Sequence, residues 1–189
     1  MERNGPAGPE SRPHYDGAMD HDDGTDLVGC APCDMTRGRV PLPGGRIHGT
    51  PRWLVVHVLG AFGLGALAVV PRRHVVHVAA LTGQEAAELG GLLRDVAAVV
   101  TALTDPVQVY TCQWSHTGGE AAHVHFVLQP VRRSDMERHP GRLGPALQSA
   151  MFDDGDRPDP AAVESFAEQA RAEFARQAAG RPTGVEDSS

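Results

Sequence analysis

The segment Ala122-His123-Val124-His125-Phe126-Val127-Leu128-Gln129-Pro130 holds the residues best suited to chemistry. Side chains alternate along a strand, so His123, His125 and Val127 share one face while Val124, Phe126 and Leu128 share the other. Two imidazoles on a rigid strand can ligate a metal, move a proton or attack phosphorus; the plain alternative is two half-exposed His on a sheet edge. The preceding loop, Ser115 to Glu120, contains Gly118-Gly119, and glycine lets backbone amides approach a phosphate closely. Cys30-x-x-Cys33 suits a redox pair, half of a zinc site, or two reduced and buried thiols. A thioredoxin-like pair would open a helix, and no helical stripe follows Pro32. Zinc requires two more donors; His74, directly after Val69-Val70, and His123 are the candidates, with His77 as the substitute for His74. Cys112 falls inside a predicted strand and reads as a packing residue. Of the remaining His, His116 is best placed to touch a substrate.

Composition narrows the chemistry further. The chain has 189 residues with 41% hydrophobic and 22% charged, enough for one compact domain. All 17 positive side chains are Arg, and the absence of Lys excludes a P-loop lysine, a Schiff base and protein-bound pyridoxal phosphate. The net charge of −7 is uneven: residues 1–26 carry seven acids and two Arg, whereas 27–179 carry 14 Arg and 15 acids. No basic face for duplex nucleic acid is expected. His57 and three Gly interrupt the longest apolar stretch, Leu54 to Val70, so no membrane span is expected. Nor is a secretory leader, which makes the cytoplasm, with reduced thiols, the expected location.

The elements that must position these residues follow from periodicity. Residues 1–26, rich in Gly, Pro, Asp and His, predict a disordered acidic tail, and 180–189 a second one. Cys30 to Gly49 reads as loop. Trp53–Val58 and Gly65–Val70 predict two antiparallel strands, and Val107–Gln113 and His123–Gln129 two more. Thr82-Gly-Gln-Glu85 has capping-box spacing, and Leu89, Leu92, Leu93, Val96, Val100 and Leu103 form the apolar stripe of a helix over about 83–104. Residues 134–179 form a C-terminal extension ending in a more exposed helix over 160–179, with Phe166, Ala170 and Phe174 on one side.

Taken in order, Cys30-x-x-Cys33, Gly65-Ala-Leu-Ala-Val-Val-Pro-Arg-Arg-His74 and Gly118-Gly-Glu-Ala-Ala-His-Val-His125-Phe-Val-Leu-Gln-Pro130 resemble the histidine triad (HIT) superfamily of nucleotide hydrolases and transferases, over about residues 27–133. The resemblance implies an α/β (α+β) fold with an antiparallel sheet of about five strands, a homodimer, and a nucleotide-like small-molecule substrate. It implies a structural zinc on Cys30, Cys33, His74 and His123, the same four that spacing suggested. It gives His125 the role of nucleophile, taking up a nucleotidyl group from a phosphate ester, anhydride or amidate.

The sequence departs from the family pattern at three places. Val127 occupies the third His position, with Gln129 two residues on as a partial replacement. Cys112 or Gln113 stands where many members have Asn, and Glu120-Ala121 where they have Gln-Ser. These departures leave two other functions open: a HIT-fold binding module without phosphoryl chemistry, and a scaffold recruited to a specialised biosynthetic reaction.

Overall fold

A computed structural model describes residues 29–180 apart from 59, 118, 119 and 156. The expected tails lie outside the described residues, save for Gly180 at the end of the last helix, and so do Gly118 and Gly119.

The centre is a five-stranded antiparallel sheet, as expected. Its strands are β1 (Arg46–Gly49), β2 (Trp53–His57), β3 (Leu67–Pro71), β4 (Gln108–Cys112) and β7 (Phe126–Val131), in the order β1-β2-β3-β7-β4. A separate hairpin pairs β5 (His116–Thr117) with β6 (Glu120–Ala121). The central strands β2, β3 and β7 are built from β-branched and aliphatic residues covered on both faces, which explains why they read as nearly continuous apolar runs.

The long helix α2 (Gly83–Thr104) has its predicted bounds. Thr82 Oγ1 accepts from the Glu85 amide at 3.2 Å and the Glu85 carboxylate accepts from the Thr82 amide at 2.7 Å, so the capping box closes. Asp105, left-handed at φ 43°, ends the helix. Leu92, Val96, Val99 and Val100 pack on one sheet face with Trp53, Val55, Leu67, Val69 and Leu128. The C-terminal helix α5 (Pro160–Ala179) joins this core through Phe166, Ala167, Ala170 and Phe174, and Phe174 stacks on His48 of β1 at 4.3 Å.

Four features differ from the sequence expectations. The Cys-x-x-Cys segment forms a helix, α1 (Ala31–Thr36), too short to show a stripe. Arg46–Gly49, read as loop, is the edge strand β1. The stretch before α5 holds two further helices, α3 (Arg133–Arg138) and α4 (Pro145–Asp153), each under three turns. The last strand begins at Phe126 rather than His123. Its preceding amides bond elsewhere: Val124 N to Val75 O at 2.6 Å and His125 N to Ser115 Oγ at 3.1 Å.

Candidate functional site

The sheet face opposite α2 and α5 carries Leu54, Val56, Ala68 and Val70 as a second apolar patch. Over it, α1 and the β5–β6 hairpin enclose a cavity of about 810 Å³, whose wall includes Val56, Ala68, Val70, His116, His125 and Val127. Among the predicted site residues, His125 and the four candidate metal ligands come together here.

Cys30, Cys33, His74 and His123 place their donor atoms within 4.8 Å of one another. Cys33 Sγ lies 3.3 Å from His74 Nδ1 and 3.4 Å from His123 Nδ1, and Cys30 Sγ lies 3.6 Å from His123 Nδ1. A zinc tetrahedron with bonds of about 2.3 Å to sulfur and 2.0–2.1 Å to nitrogen has sulfur–nitrogen edges of about 3.6 Å, so this donor set fits zinc. Outer contacts orient the ligands. His123 Nε2 lies 3.1 Å from the Pro71 carbonyl, which can only accept, so Nε2 carries the proton and Nδ1 turns its lone pair to the sulfurs. His74 is held through the preceding residue. Arg73 Nε and Nη2 donate to Glu85 at 3.2 and 2.9 Å, tying the segment after β3 to the first turn of α2. Burial alone would raise the Glu85 carboxyl, and the bonds from Arg73 and Thr82 overcome it and hold it below the ordinary value.

His125 is fixed by the same kind of contact. Its Nδ1 lies 3.1 Å from the His123 carbonyl, an acceptor only, so Nδ1 bears hydrogen and Nε2 keeps its lone pair in the neutral ring. Ser115 Oγ accepts from the His125 amide at 3.1 Å and from Gln113 Nε2 at 2.8 Å, and sits 3.4 Å from His125 Nδ1. The carbonyl of one candidate metal ligand therefore sets the tautomer of the neighbouring imidazole.

The fold has counterparts among solved structures. A zinc-bound histidine triad family protein from Mycobacterium smegmatis superposes with a TM-score of 0.60 at 17% identity, covering 81% of this chain and 98% of that one. A hypothetical histidine triad nucleotide-binding protein from Sulfolobus tokodaii gives 0.59 at 13% identity, covering 78% and 93%. A Hit-like protein from Bartonella henselae gives 0.56 at 12%, covering 75% and 93%. The chain has the histidine triad fold. No family model and no curated protein matches the sequence.

Within this HIT fold the other predicted residues have distinct places. Val127 lines the cavity with His125, on the face predicted from alternation. Gln129 is on that face too, yet fully buried beyond the cavity: its Nε2 donates to the Phe62 carbonyl at 3.2 Å and its Oε1 accepts from Gln148 Nε2 of α4 at 3.1 Å. Cys112 packs beside it, 3.2 Å from Gln148 Nε2, with its thiol pushed up by burial against the bonds from Gln148 and the Val127 backbone. His116 and Glu120 reach the cavity wall from the hairpin.

Sequence reasoning missed Ser115 and His57. Ser115 has no distinguishing signal in a loop where several polar residues are equivalent until the chain is folded. His57 is buried at the end of β2, with Nδ1 donating to the Val58 carbonyl at 2.9 Å and Nε2 accepting from the Gly65 amide at 3.0 Å. Burial lowers its pKa from the ordinary 6.5, with the Val58 bond acting in the opposite direction. Gly65 stands at φ 94°, and a Cβ there would meet Thr104 Cγ2 at 2.8 Å, so both its conformation and its close approach require glycine.

Proposed function

We propose that this chain is a nucleotidyl-transferring enzyme of the HIT type, in which His125 accepts a nucleoside monophosphate group and passes it to water or to another acceptor. The observation that carries this reading is the anchoring of His125 Nδ1 on the His123 carbonyl, which in the neutral ring puts the lone pair on Nε2 of a cavity-lining imidazole. Nε2 attacks phosphorus, the bond to the leaving group breaks, and a covalent phosphoramidate holds the nucleotidyl group. In the second step the acceptor oxygen attacks phosphorus and the P–N electron pair returns to Nε2. Gly118 and Gly119 would donate amides to the phosphate oxygens. Gln129 would serve the site indirectly, by holding Phe62 in the cavity wall.

Zinc on Cys30, Cys33, His74 and His123 would be structural, cross-linking α1 to the ends of β3 and β7. All four ligands are protein side chains, which leaves no open position for a substrate. Thiolate ligands suit a reducing cytoplasm. The strand β4 pairs only with β7 among the described residues, and its free edge supports a two-fold homodimer.

Labelled dinucleoside polyphosphate, adenosine phosphoramidate and activated esters of AMP, each quenched within one turnover, test the chemistry. Label is expected on wild-type protein with at least one of them and absent from His125→Ala; no label across the set contradicts the proposal. Val127 and Glu120 favour a second reading, a module that binds nucleotide without transferring it. Calorimetry separates the two, because a pure binder keeps its affinity as His125→Asn and shows no turnover.

A further inference from the structure

Attack by an imidazole on a phosphate poses two proton questions: the nucleophile must be unprotonated, and the departing atom must be able to leave. For His125, anchoring of Nδ1 on the His123 carbonyl puts the lone pair of the neutral ring on Nε2. The second turns on what else faces the reacting centre. Val127, two residues after His125 and lining the same cavity, is 5% exposed and offers only methyl groups. His74 and His123 face the thiols, and His57 uses both ring nitrogens in bonds to Val58 and Gly65. Asp34 accepts from Arg39 at 2.6 Å, and His116, exposed on β5, is a further imidazole of the wall whose part as an acid the test below decides. Glu120, exposed on β6, adds negative charge to the wall and disfavours a leaving group that carries several charges. Beneath these groups Val56, Ala68, Val70 and Val127 make a continuous apolar floor.

We propose that the site is specialised for nucleoside monophosphate derivatives whose leaving group departs unprotonated, as a weakly basic, singly charged anion on an apolar body: a carboxylate or an acidic phenolate. This rests on His125 being the nucleophile. His125 Nε2 forms the N–P bond with its lone pair, the P–O bond breaks, and the oxygen leaves with that pair as the free anion. Water then attacks phosphorus, the P–N pair returns to Nε2, and one proton of the water is released to solvent. Amines and alkoxides are too basic to leave in this way without an acid. Pyrophosphate meets the Glu120 carboxylate.

The test measures single-turnover release by the zinc-loaded full chain from four AMP derivatives: the p-nitrophenyl ester, the phenyl ester, the acetyl anhydride and ATP. Phenolate is about 1,000-fold more basic than p-nitrophenolate, so an unassisted departure predicts a rate ratio of about 1,000 between the aryl esters, and an acid-assisted one a ratio under about 10. The wild-type ratio is expected near the first value, with the acetyl anhydride fast and ATP slowest. In Val127→His the ratio is expected to fall at least tenfold, by acceleration of the phenyl ester. A wild-type ratio under about 10 overturns the proposal, and if His116→Ala then restores a high ratio, the hidden acid is His116. Release from ATP as fast as from the acetyl anhydride overturns the charge argument. Failure of every substrate to label His125 instead removes the underlying enzymatic reading.

Discussion

Three imidazoles have their tautomer decided by a main-chain carbonyl: His123 by Pro71, His125 by His123, and His57 by Val58. For His57 this creates a pH dependence. The unfolded chain takes up a proton near pH 6.5, and the folded chain resists it because burial lowers the pKa of the ring. Stability is therefore full above about pH 6.5 and falls with pH until the lowered folded value is passed. His57→Gln, which keeps an acceptor for the Gly65 amide and cannot titrate, is expected to flatten this part of the stability curve in urea unfolding. Parallel curves for the two proteins would contradict the assignment. At the metal cluster, Cys33→Ser and His123→Ala are each expected to cut zinc from about one per chain to less than half, and to lower Tm by about 5–10 °C. Full zinc in both variants would place the metal elsewhere. His123→Ala keeps the backbone carbonyl, so any further effect on His125 comes from movement of that carbonyl.

At the scale of elements, the ion pair between Arg73 and Glu85 joins strand end, helix start and candidate metal ligand. Glu85 also offers its main-chain carbonyl to Trp53 Nε1 at 3.1 Å, which ties the same helical turn to β2. Arg73→Ala leaves a buried carboxylate with fewer partners and is expected to cost about 2–3 kcal/mol in denaturant unfolding, with weaker zinc retention because His74 is the next residue. A change under about 0.5 kcal/mol would show that the capping box alone satisfies Glu85. On the other side of the sheet, Gln148 of α4 bonds both Gln129 and Cys112. Gln148→Leu strips Gln129 Oε1 of its partner and is expected to cost about 1–3 kcal/mol, read by thermal or urea unfolding.

These elements differ in how far the sequence revealed them. Helix α2 was legible because its signals are local: a capping box and one apolar stripe over 22 residues. That Cys30, Cys33, His74 and His123 come together was legible because few residue types suit a tetrahedral metal site and the two His follow or precede recognisable strands. β1, with four residues, and α1 and α3, with six each, are shorter than the windows in which periodicity shows. The run-in to β7 was misread because His123 and His125 keep strand-like alternation while their backbone bonds leave the sheet. Gln129 was placed on the correct face, but α4, which covers it, could not be foreseen from residues 134–159.

At the scale of the whole molecule, the sheet separates two tasks. One face is filled by α2 and α5 and holds most of the core; the other is left open beside His125 and bordered by α1 and the hairpin. No helix among the described residues is long and apolar enough to cross a membrane. The α5 helix belongs to the structural face, so Phe166→Ala is expected to cost about 3–4 kcal/mol without removing zinc. The central claim, a two-step transfer through His125, is tested most directly by the stereochemical course at phosphorus, using an AMP aryl ester made chiral with sulfur and hydrolysed in isotopically labelled water. Two in-line displacements each invert configuration, so net retention is the predicted result. Net inversion would mean that water attacks the substrate directly and that His125 is not the nucleophile.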